Sequence, residues 1–492
     1  MAMGHNERHA AQVPLLNTSI LVGLRDPGIR RPGPRAPFCH QNYEEALMQS
    51  MPQQGSGYVE AVPTDQKSEA ATQRRTVIAS CIGTAIEWYD FFLYGLIAPL
   101  IFDQLFFPKM DPAAGSIAVF ATFAVGFVAR PLGGVIFGHF GDKLGRKSVL
   151  LITLLLMGLS TMGIGLLPTY TQIGIYASVF LVALRFLQGF ALGGEATAAG
   201  LMIVESCPER KRGLYAAFIQ TAGPIGVVFA SLSALLISRM PEADLLSWGW
   251  RVPFVFSGVL VAVGLYIRLK VEESPAFVAS QGAAPTAKVP ALDALRNFGK
   301  PIAIILFAAM AETTFFYVTS IFSLSYVTKS LALPRDIVTT AVLIASILAL
   351  FTVPYFGSLS DRIGRKGMFM SAILLGAIYM YFFFGLLNTR EPLIIIGAIT
   401  VAAGIVHPLM FAPEGSFFPE LVPTRVRFSA VSIGKQFGTV LGGGIAPLIA
   451  SSLLAASDSN PLVIAMYYSA LAVVALFALY FAQETKDQKI AY

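Results

Sequence analysis

The sequence of 492 residues contains little charge and few cysteines. Asp, Glu, Lys and Arg make up 13% of it, whereas soluble domains carry about 25% charged residues. So little charge cannot cover a water-facing surface, which excludes a soluble enzyme, a nucleic-acid-binding protein and a disordered scaffold. The three cysteines, Cys39, Cys81 and Cys207, share no metal-ligand spacing and are too few for a disulfide framework. We therefore expect no metal site.

Hydrophobic residues, by contrast, reach 55%, and the mean hydropathy is +0.66. They form long runs separated by short polar turns, and a membrane-spanning helix needs about 20 such residues. Twelve runs are long enough, at about 76–102, 113–138, 148–168, 171–204, 213–238, 248–268, 301–328, 336–358, 367–388, 392–418, 428–454 and 460–482. The pattern predicts an all-α integral membrane protein with twelve transmembrane helices.

The remaining segments divide the chain. Residues 1–73 are rich in Pro, Gly and Gln and hold no run long enough to span, so we predict a disordered cytoplasmic tail. Residues 269–300 form the longest internal polar segment and are predicted to be a central cytoplasmic loop. This loop separates a six-helix bundle at 74–268 from a second at 301–482, and residues 483–492 form a cytoplasmic C-terminal tail.

The orientation follows from the basic residues. With both termini placed inside, 26 of the 35 Lys and Arg residues fall on the cytoplasmic side and five on the external side. Cytoplasmic loops of membrane proteins carry an excess of Lys and Arg. The bias therefore predicts cytoplasmic termini, and it explains the net charge of +6 without nucleic acid.

Motifs of the first half recur in the second half in the same order. Gly138-x-x-x-Asp142-Lys143-x-Gly145-Arg146-Lys147 returns as Gly357-x-x-x-Asp361-Arg362-x-Gly364-Arg365-Lys366, and Glu205-x-x-Pro208-x-x-x-Arg212 returns as Glu420-x-x-Pro423-x-x-x-Arg427. Gly223 is likewise matched by Gly438. Duplicated six-helix bundles with a central site between them are a transporter architecture. The repeats therefore predict two pseudo-symmetric halves.

The first of these motifs resembles the loop signature of the major facilitator superfamily, and the chain resembles that family from about residue 74 onward. Further segments resemble its metabolite:proton symporter branch: Glu87-Trp88-Tyr89-Asp90-Phe91, Arg185-x-x-Gln188-Gly189, Trp248-Gly-Trp250-Arg251-x-Pro253-Phe254, Phe418-Pro419-Glu420 and Gly442-Gly443-Gly444. The resemblance implies proton-coupled uptake by alternating access across a bacterial inner membrane. The substrate would be a small polar metabolite, an organic acid (shikimate-like, mono- or dicarboxylate) or a betaine/proline-type zwitterion.

The resemblance also implies the partners. Substrate, protons and lipid would suffice, and the chain is expected to work as a monomer without a cofactor. A phosphate-binding loop with the spacing G-x-x-x-x-G-K-[ST] is absent from the sequence, so ATP is not expected to drive transport.

Ionisable residues inside spans indicate where coupling occurs. Each costs about 2.5–3.5 kcal/mol by insertion scales, so such residues are functional by default. We predict that Glu87, Asp90, Arg185 and Glu312 carry proton coupling, because a carboxylate beside an arginine can exchange a proton for a change of partner. A static buried pair involving Arg130 or Arg185 is the alternative.

Two further sets of residues are assigned. The predicted substrate-binding residues are Tyr94, Arg130, Arg185, Gln188, Gln220, Tyr317 and Lys435. The predicted conformational motif, which would hold the two halves together in one state, consists of Gly138, Asp142, Gly145, Arg146 and Lys147 with Gly357, Asp361, Gly364, Arg365 and Lys366. The alternative for this motif is that it only fixes topology. His407 is a lone histidine and favours a structural role.

Two other functions compete with uptake. Gly223-Pro224-Ile225-Gly226 resembles the core of an antiporter motif, but Ile219 stands where that motif has a preceding glycine. A proton-driven exporter is therefore the first alternative. A membrane-embedded enzyme is disfavoured, because the sequence has no His-Glu-x-x-His and the duplication would be unexplained.

Overall fold

Twelve long helices follow one another in the described part of the chain. In the computed structural model of the protein, residues 66–144, 146–193, 209–269 and 290–486 are described, without the side chains of 66–80, 138–148, 150, 209, 268, 290–293 and 424–425. The helices are α1 (Gln66–Phe106), α2 (Pro112–Leu144), α3 (Arg146–Leu166), α4 (Ile175–Leu192), α5 (Arg212–Ser238), α6 (Glu242–Ile267), α7 (Gly299–Ser330), α8 (Arg335–Ile363), α9 (Arg365–Leu387), α10 (Pro392–Glu420), α11 (Val426–Ala456) and α12 (Leu462–Tyr480).

These helices match the predicted spans. Eleven are long and apolar enough to cross a bilayer, and the apolar part of α3, Leu151–Leu166, is shorter. The prediction of an all-α fold with twelve membrane-spanning helices is confirmed. Part of the predicted central loop is also helical, at Pro290–Asn297. Residues 1–65 of the predicted N-terminal tail, residues 270–289 and residues 487–492 lie outside the described residues. Residues 66–73, predicted as the end of the disordered tail, form the first two turns of α1 instead.

Helix packing repeats between the halves. In the first half α1 packs against α5, α2 against α4 and α3 against α6. In the second half α7 packs against α11, α8 against α10 and α9 against α12. Each helix pair of the first half thus has an equivalent pair in the second half, as the repeated motifs predicted.

Glycines allow this close packing. A Cβ added at Gly189 on α4 would lie 1.7 Å from the carbonyl oxygen of Gly126 on α2, and one at Gly438 on α11 would lie 2.4 Å from that of Leu306 on α7. Gly223, the predicted counterpart of Gly438, lies against the ring of Trp88 on α1. The helix axes can approach this closely because these positions carry no side chain.

The halves contact each other near both ends of α5 and α8. At the end where α8 finishes, called the motif end below, Gly213 on α5 lies against Gly357 on α8. At the opposite end, Arg335 donates hydrogen bonds to the carbonyl oxygens of Ser238 (2.9 Å) and Met240 (3.3 Å). The structure is thus closed at both ends of this helix pair.

Candidate substrate and proton site

A small cavity lies where the two halves meet. Its accessible volume is about 20 Å³, and the first half contributes Trp88, Pro224 and Val227 to its wall. The second half contributes His407 along with mainly apolar side chains from α7, α8 and α10. A cavity of this size holds about one water molecule. The space between the two halves is therefore nearly filled. The buried polar groups form one cluster in each half.

Arg185 on α4 is the centre of the cluster in the first half. It is fully buried, donates a short hydrogen bond to the Gln188 amide oxygen and donates a second one of 3.3 Å to the carbonyl oxygen of Phe123. Its guanidinium stands 4.0 Å from the ring centroid of Tyr94. Aromatic stacking and neutral hydrogen-bond acceptors thus hold the Arg185 guanidinium. The sequence predicts a carboxylate in their place.

Asp90 on α1 belongs to the same cluster but is one contact removed from the arginine. The Gln188 amide donates to the main-chain oxygen of Asp90 (3.3 Å) and to the hydroxyl of Thr161 (2.8 Å). The Asp90 carboxylate accepts a 2.5 Å hydrogen bond from Ser257 through Oδ1, while Oδ2 has no hydrogen-bond partner among the described residues. Gln188 therefore lies between the predicted proton carrier and the predicted cation.

Arg130 on α2 connects the clusters of the two halves. It stacks on Phe91 and Phe127, with its guanidinium carbon 4.3 and 4.2 Å from the ring centroids. It also interacts with the charge of Glu87 on α1 and with the hydroxyl of Tyr317 on α7. Three of the predicted residues, Glu87, Arg130 and Tyr317, are thus brought together.

The second half holds a group of buried ionisable side chains. Glu312 on α7 shares a 2.6 Å hydrogen bond with His407 on α10, whose ring stacks on Phe316 with centroids 4.1 Å apart. Glu414, also on α10, forms a 2.5 Å ion pair with Lys435 on α11. The predicted site residues do not include Glu414, and the sequence favours a structural role for His407. Glu414 nevertheless meets the criterion that selects the other carboxylates, an ionisable residue inside an apolar run.

Gln220 on α5 is the remaining predicted substrate-binding residue. Its amide donates to the carbonyl oxygens of Phe411 (2.9 Å) and Ala412 (3.3 Å) on α10. In this closed arrangement it therefore ties one half to the other beside the cavity. Its assignment as a substrate ligand stays a prediction, as do the other binding and coupling assignments.

The loop motif of the second half also bridges the two halves. Asp361 at the end of α8 accepts hydrogen bonds from the main-chain amides of Gly213 (2.8 Å) and Leu214 (3.0 Å) at the start of α5. A carboxylate is favourable there because the first amides of a helix carry partial positive charge. Arg365 holds this carboxylate from its own half, with an N–O distance of 3.1 Å.

A second set of contacts fixes the turn between α8 and α9. Gly364 adopts φ +102°, a conformation that favours glycine. Arg365 also pairs with Glu420 at 2.9 Å, and the Glu484 carboxylate accepts hydrogen bonds from the main-chain amides of Arg365 and Lys366. In the first-half motif, Gly145 and the side chains of Asp142, Arg146 and Lys147 lie outside the described residues, and Gly138 is described only as part of α2.

Several known proteins are similar to this chain in sequence. An inner membrane metabolite transport protein of Escherichia coli (strain K12) is 39% identical over 425 residues, which are 85% of this chain and 96% of the relative. A shikimate transporter of the same strain is 38% identical over 408 residues (82% and 93%), and a proline/betaine transporter is 32% identical over 431 residues (85% and 85%). These relatives are transporters, as expected for a chain that is not an enzyme.

The solved structures and the family pattern agree with these relatives. The crystal structure of a D-xylose-proton symporter matches the fold with a TM-score of 0.66 at 20% identity, covering 85% of this chain and 99% of that one. The sequence model described as Major Facilitator Superfamily matches residues 80–447 and, in a second match, residues 302–491. The chain is therefore a multi-pass membrane protein that belongs to the Major Facilitator Superfamily of transporters.

Proposed function

We propose that this protein imports a small organic acid together with protons, by alternating access between its two halves. The observation that carries the proposal is Asp90: a fully buried carboxylate with one oxygen lacking a hydrogen-bond partner among the described residues, one amide away from Arg185. A charge at such a position is costly unless it is paired or neutralised. The Asp90 carboxylate can offset that cost in two ways, by binding a proton or by pairing with a cation.

The cations support an acidic substrate. Arg130, Arg185 and Lys435 lie on α2, α4 and α11, and the charge of Arg130 acts on each of the other two. The two arginines are held by aromatic rings, which leaves charge available for an incoming carboxylate. A relative at 38% identity is a shikimate transporter, and shikimate is a carboxylate.

Transport by the purified protein in liposomes tests the proposal. With an imposed inward proton gradient, wild type should concentrate labelled shikimate or a related monocarboxylate. Asp90→Asn should lower this uphill uptake by the part that depends on the Asp90 proton and should retain exchange of labelled for unlabelled substrate, because exchange needs only the loaded carrier to reorient. Asp244→Asn, at an exposed aspartate on the N-terminal turn of α6, is the matched control and should behave as wild type. Uphill uptake by Asp90→Asn at the wild-type level would contradict this assignment of the proton site.

A zwitterion is the second candidate substrate, because a relative at 32% identity is a proline/betaine transporter. The two classes differ in the charge they move. A monoanion entering with one proton moves no net charge, whereas a zwitterion with one proton moves one positive charge, worth about 2.3 kcal/mol per 100 mV. At a stoichiometry of one proton per molecule, an inward current during uptake would favour the zwitterion. Outward rather than inward movement of substrate against the proton gradient would favour an exporter.

A further inference from the structure

The ion pair between Glu414 and Lys435 stands at a boundary between buried and accessible space. The Glu414 side chain is 1% exposed, whereas that of Lys435 is 39% exposed. Glu414 Oε2 has no hydrogen-bond partner among the described residues, so the lysine supplies the carboxylate's one strong contact there. Lys435 is thus the more accessible partner of the pair, while its counter-charge is buried.

Other ionisable groups act on this pair from α2, α7 and α10. Within the described residues, Glu312 on α7 acts on both partners, His407 on α10 acts on Glu414, and Arg130 on α2 acts on Lys435. The charged groups that α5, α8 and α9 turn towards α10 lie nearer its motif end, around Glu420: these are Arg212, Asp361 and Arg365. Beside Glu414 itself α5 presents the neutral amide of Gln220, which lies against Gly415. Lys435 is therefore the nearest cation to Glu414.

We propose that Glu414 is an internal substitute for the substrate carboxylate: it occupies Lys435 until cargo binds, and the cargo displaces it as it takes up a proton. This inference rests on the proposed function and specifies the substrate class, a carboxylate, and the residue with which it competes. Charge explains the competition: the one positive charge of Lys435 can neutralise one carboxylate but not two, and a second buried carboxylate would stay uncompensated.

The exchange balances in charge and in protons. The ion pair between Glu414 and Lys435 breaks, an ion pair between the substrate carboxylate and Lys435 forms, and a proton from solvent joins the released Glu414 oxygen. Removing a buried carboxylate's partner leaves an uncompensated charge, which neutralisation removes. The lysine, the glutamate and a bound monoanion then carry the same net charge as the lysine and glutamate alone. Binding of one monoanion is thereby tied to uptake of one proton.

Isothermal titration calorimetry of the purified full-length protein with shikimate and related monocarboxylates tests this exchange. Titrations in two buffers of different ionisation enthalpy give both the affinity and the number of protons taken up per molecule bound. For Glu414→Gln we expect binding about tenfold tighter near neutral pH, equivalent to about 1.4 kcal/mol, because the competitor is gone. We also expect one proton fewer to be taken up than in wild type. Lys435→Gln should bind at least tenfold more weakly, and Lys435→Arg should recover part of that loss.

The controls separate this inference from the proposed function. Glu391→Gln, at an exposed glutamate before α10, should match wild type in both quantities, and Asp90→Asn should keep the proton that depends on Glu414. If Glu414→Gln takes up as many protons as wild type, or binds as weakly as Lys435→Gln, the exchange is wrong while proton-coupled uptake still stands. If wild type binds carboxylates without taking up a proton, the exchange is wrong whatever the variants show. If wild type neither binds nor concentrates any carboxylate, both proposals fall.

Discussion

Gly213 on α5 and Gly357 on α8 meet main chain against main chain across the two halves. A Cβ added at Gly357 would lie 2.7 Å from the carbonyl oxygen of Gly213 and 2.3 Å from the Cβ of Ala217. Asp361, one turn further along α8, accepts hydrogen bonds from the amides that begin α5. The close contact of the two glycines and the helix-capping carboxylate of Asp361 thus hold the two halves together at the motif end.

We expect Gly357→Ala to prevent this closure. The added methyl group meets rigid neighbours, and overpacking of this kind costs about 1–3 kcal/mol, so the population closed at the motif end should fall about tenfold. Accessibility of a cysteine introduced beside the cavity to a thiol reagent measures the shift. Gly367→Ala on α9 is the control, since its Cβ would meet nothing within 4 Å. Equal labelling of the two variants would contradict the contact.

Asp361→Asn should slow transport while leaving substrate affinity close to that of wild type. Asparagine retains one acceptor oxygen, so one of the two hydrogen bonds to α5 is lost, and a hydrogen bond to a charged group contributes about 1.5–3 kcal/mol. Turnover and half-saturation in liposomes separate the two effects. Asp458→Asn, at an exposed turn, serves as the control. A large loss of affinity with normal turnover would place Asp361 in substrate binding. The same outcome is expected for Asp142→Asn in the first-half motif.

Arg185→Lys should not restore what Arg185→Ala removes. Both variants should lose uphill uptake and exchange by more than about tenfold, because the planar guanidinium both donates to Gln188 and Phe123 and stacks on Tyr94, which an ammonium group cannot reproduce. Paired uptake and exchange assays measure this loss. Arg239→Lys, at an exposed arginine, is the matched control. Near-normal exchange in Arg185→Lys would show that only the charge is required.

The ion pair between Lys329 and Asp103 should contribute little. It links the halves at the end opposite the motif end over 2.5 Å, but both side chains reach solvent. Exposed pairs contribute about 0.2–1 kcal/mol and weaken with salt. A double-mutant cycle with Lys329→Gln and Asp103→Asn, read out as thermal stability and turnover, should give a coupling within that range that declines at high salt. A coupling several times larger would mean that this pair controls opening.

The fold followed from patterns that depend on local sequence. Hydrophobic runs set the helices, and the equivalence of Gly223 and Gly438 holds because each lies where its helix crosses another closely, α5 over α1 and α11 over α7. Asp361 lies at a junction between the halves, and its assignment to a conformational motif stays a prediction. The helix at Pro290–Asn297 was not expected, since its polar composition resembles a loop.

The partners of the buried charges could not be predicted in the same way. Sequence spacing gives the depth of Arg185 but not its direction, and its acceptor proved to be Gln188, one turn along the same helix, rather than a carboxylate on α1. The pairing of Glu414 with Lys435 could not be predicted either, because the two residues lie on different helices. Pairing across helices depends on rotation about each helix axis, which a single sequence does not specify.

The hydrogen bonds of Glu484 have a mechanical consequence. They fasten the segment after α12 to the first amides of α9, and the ammonium of Lys366 binds back to the carbonyl oxygen of Tyr480 at the end of α12. The α8–α9 turn, which carries the contact with the other half, is thereby joined to the outer edge of its own bundle. We therefore expect the second six-helix bundle to move as one rigid body. A spin label at Val473, two-thirds exposed on the outer face of α12, would then report each opening and closing while standing clear of the route that the cargo takes.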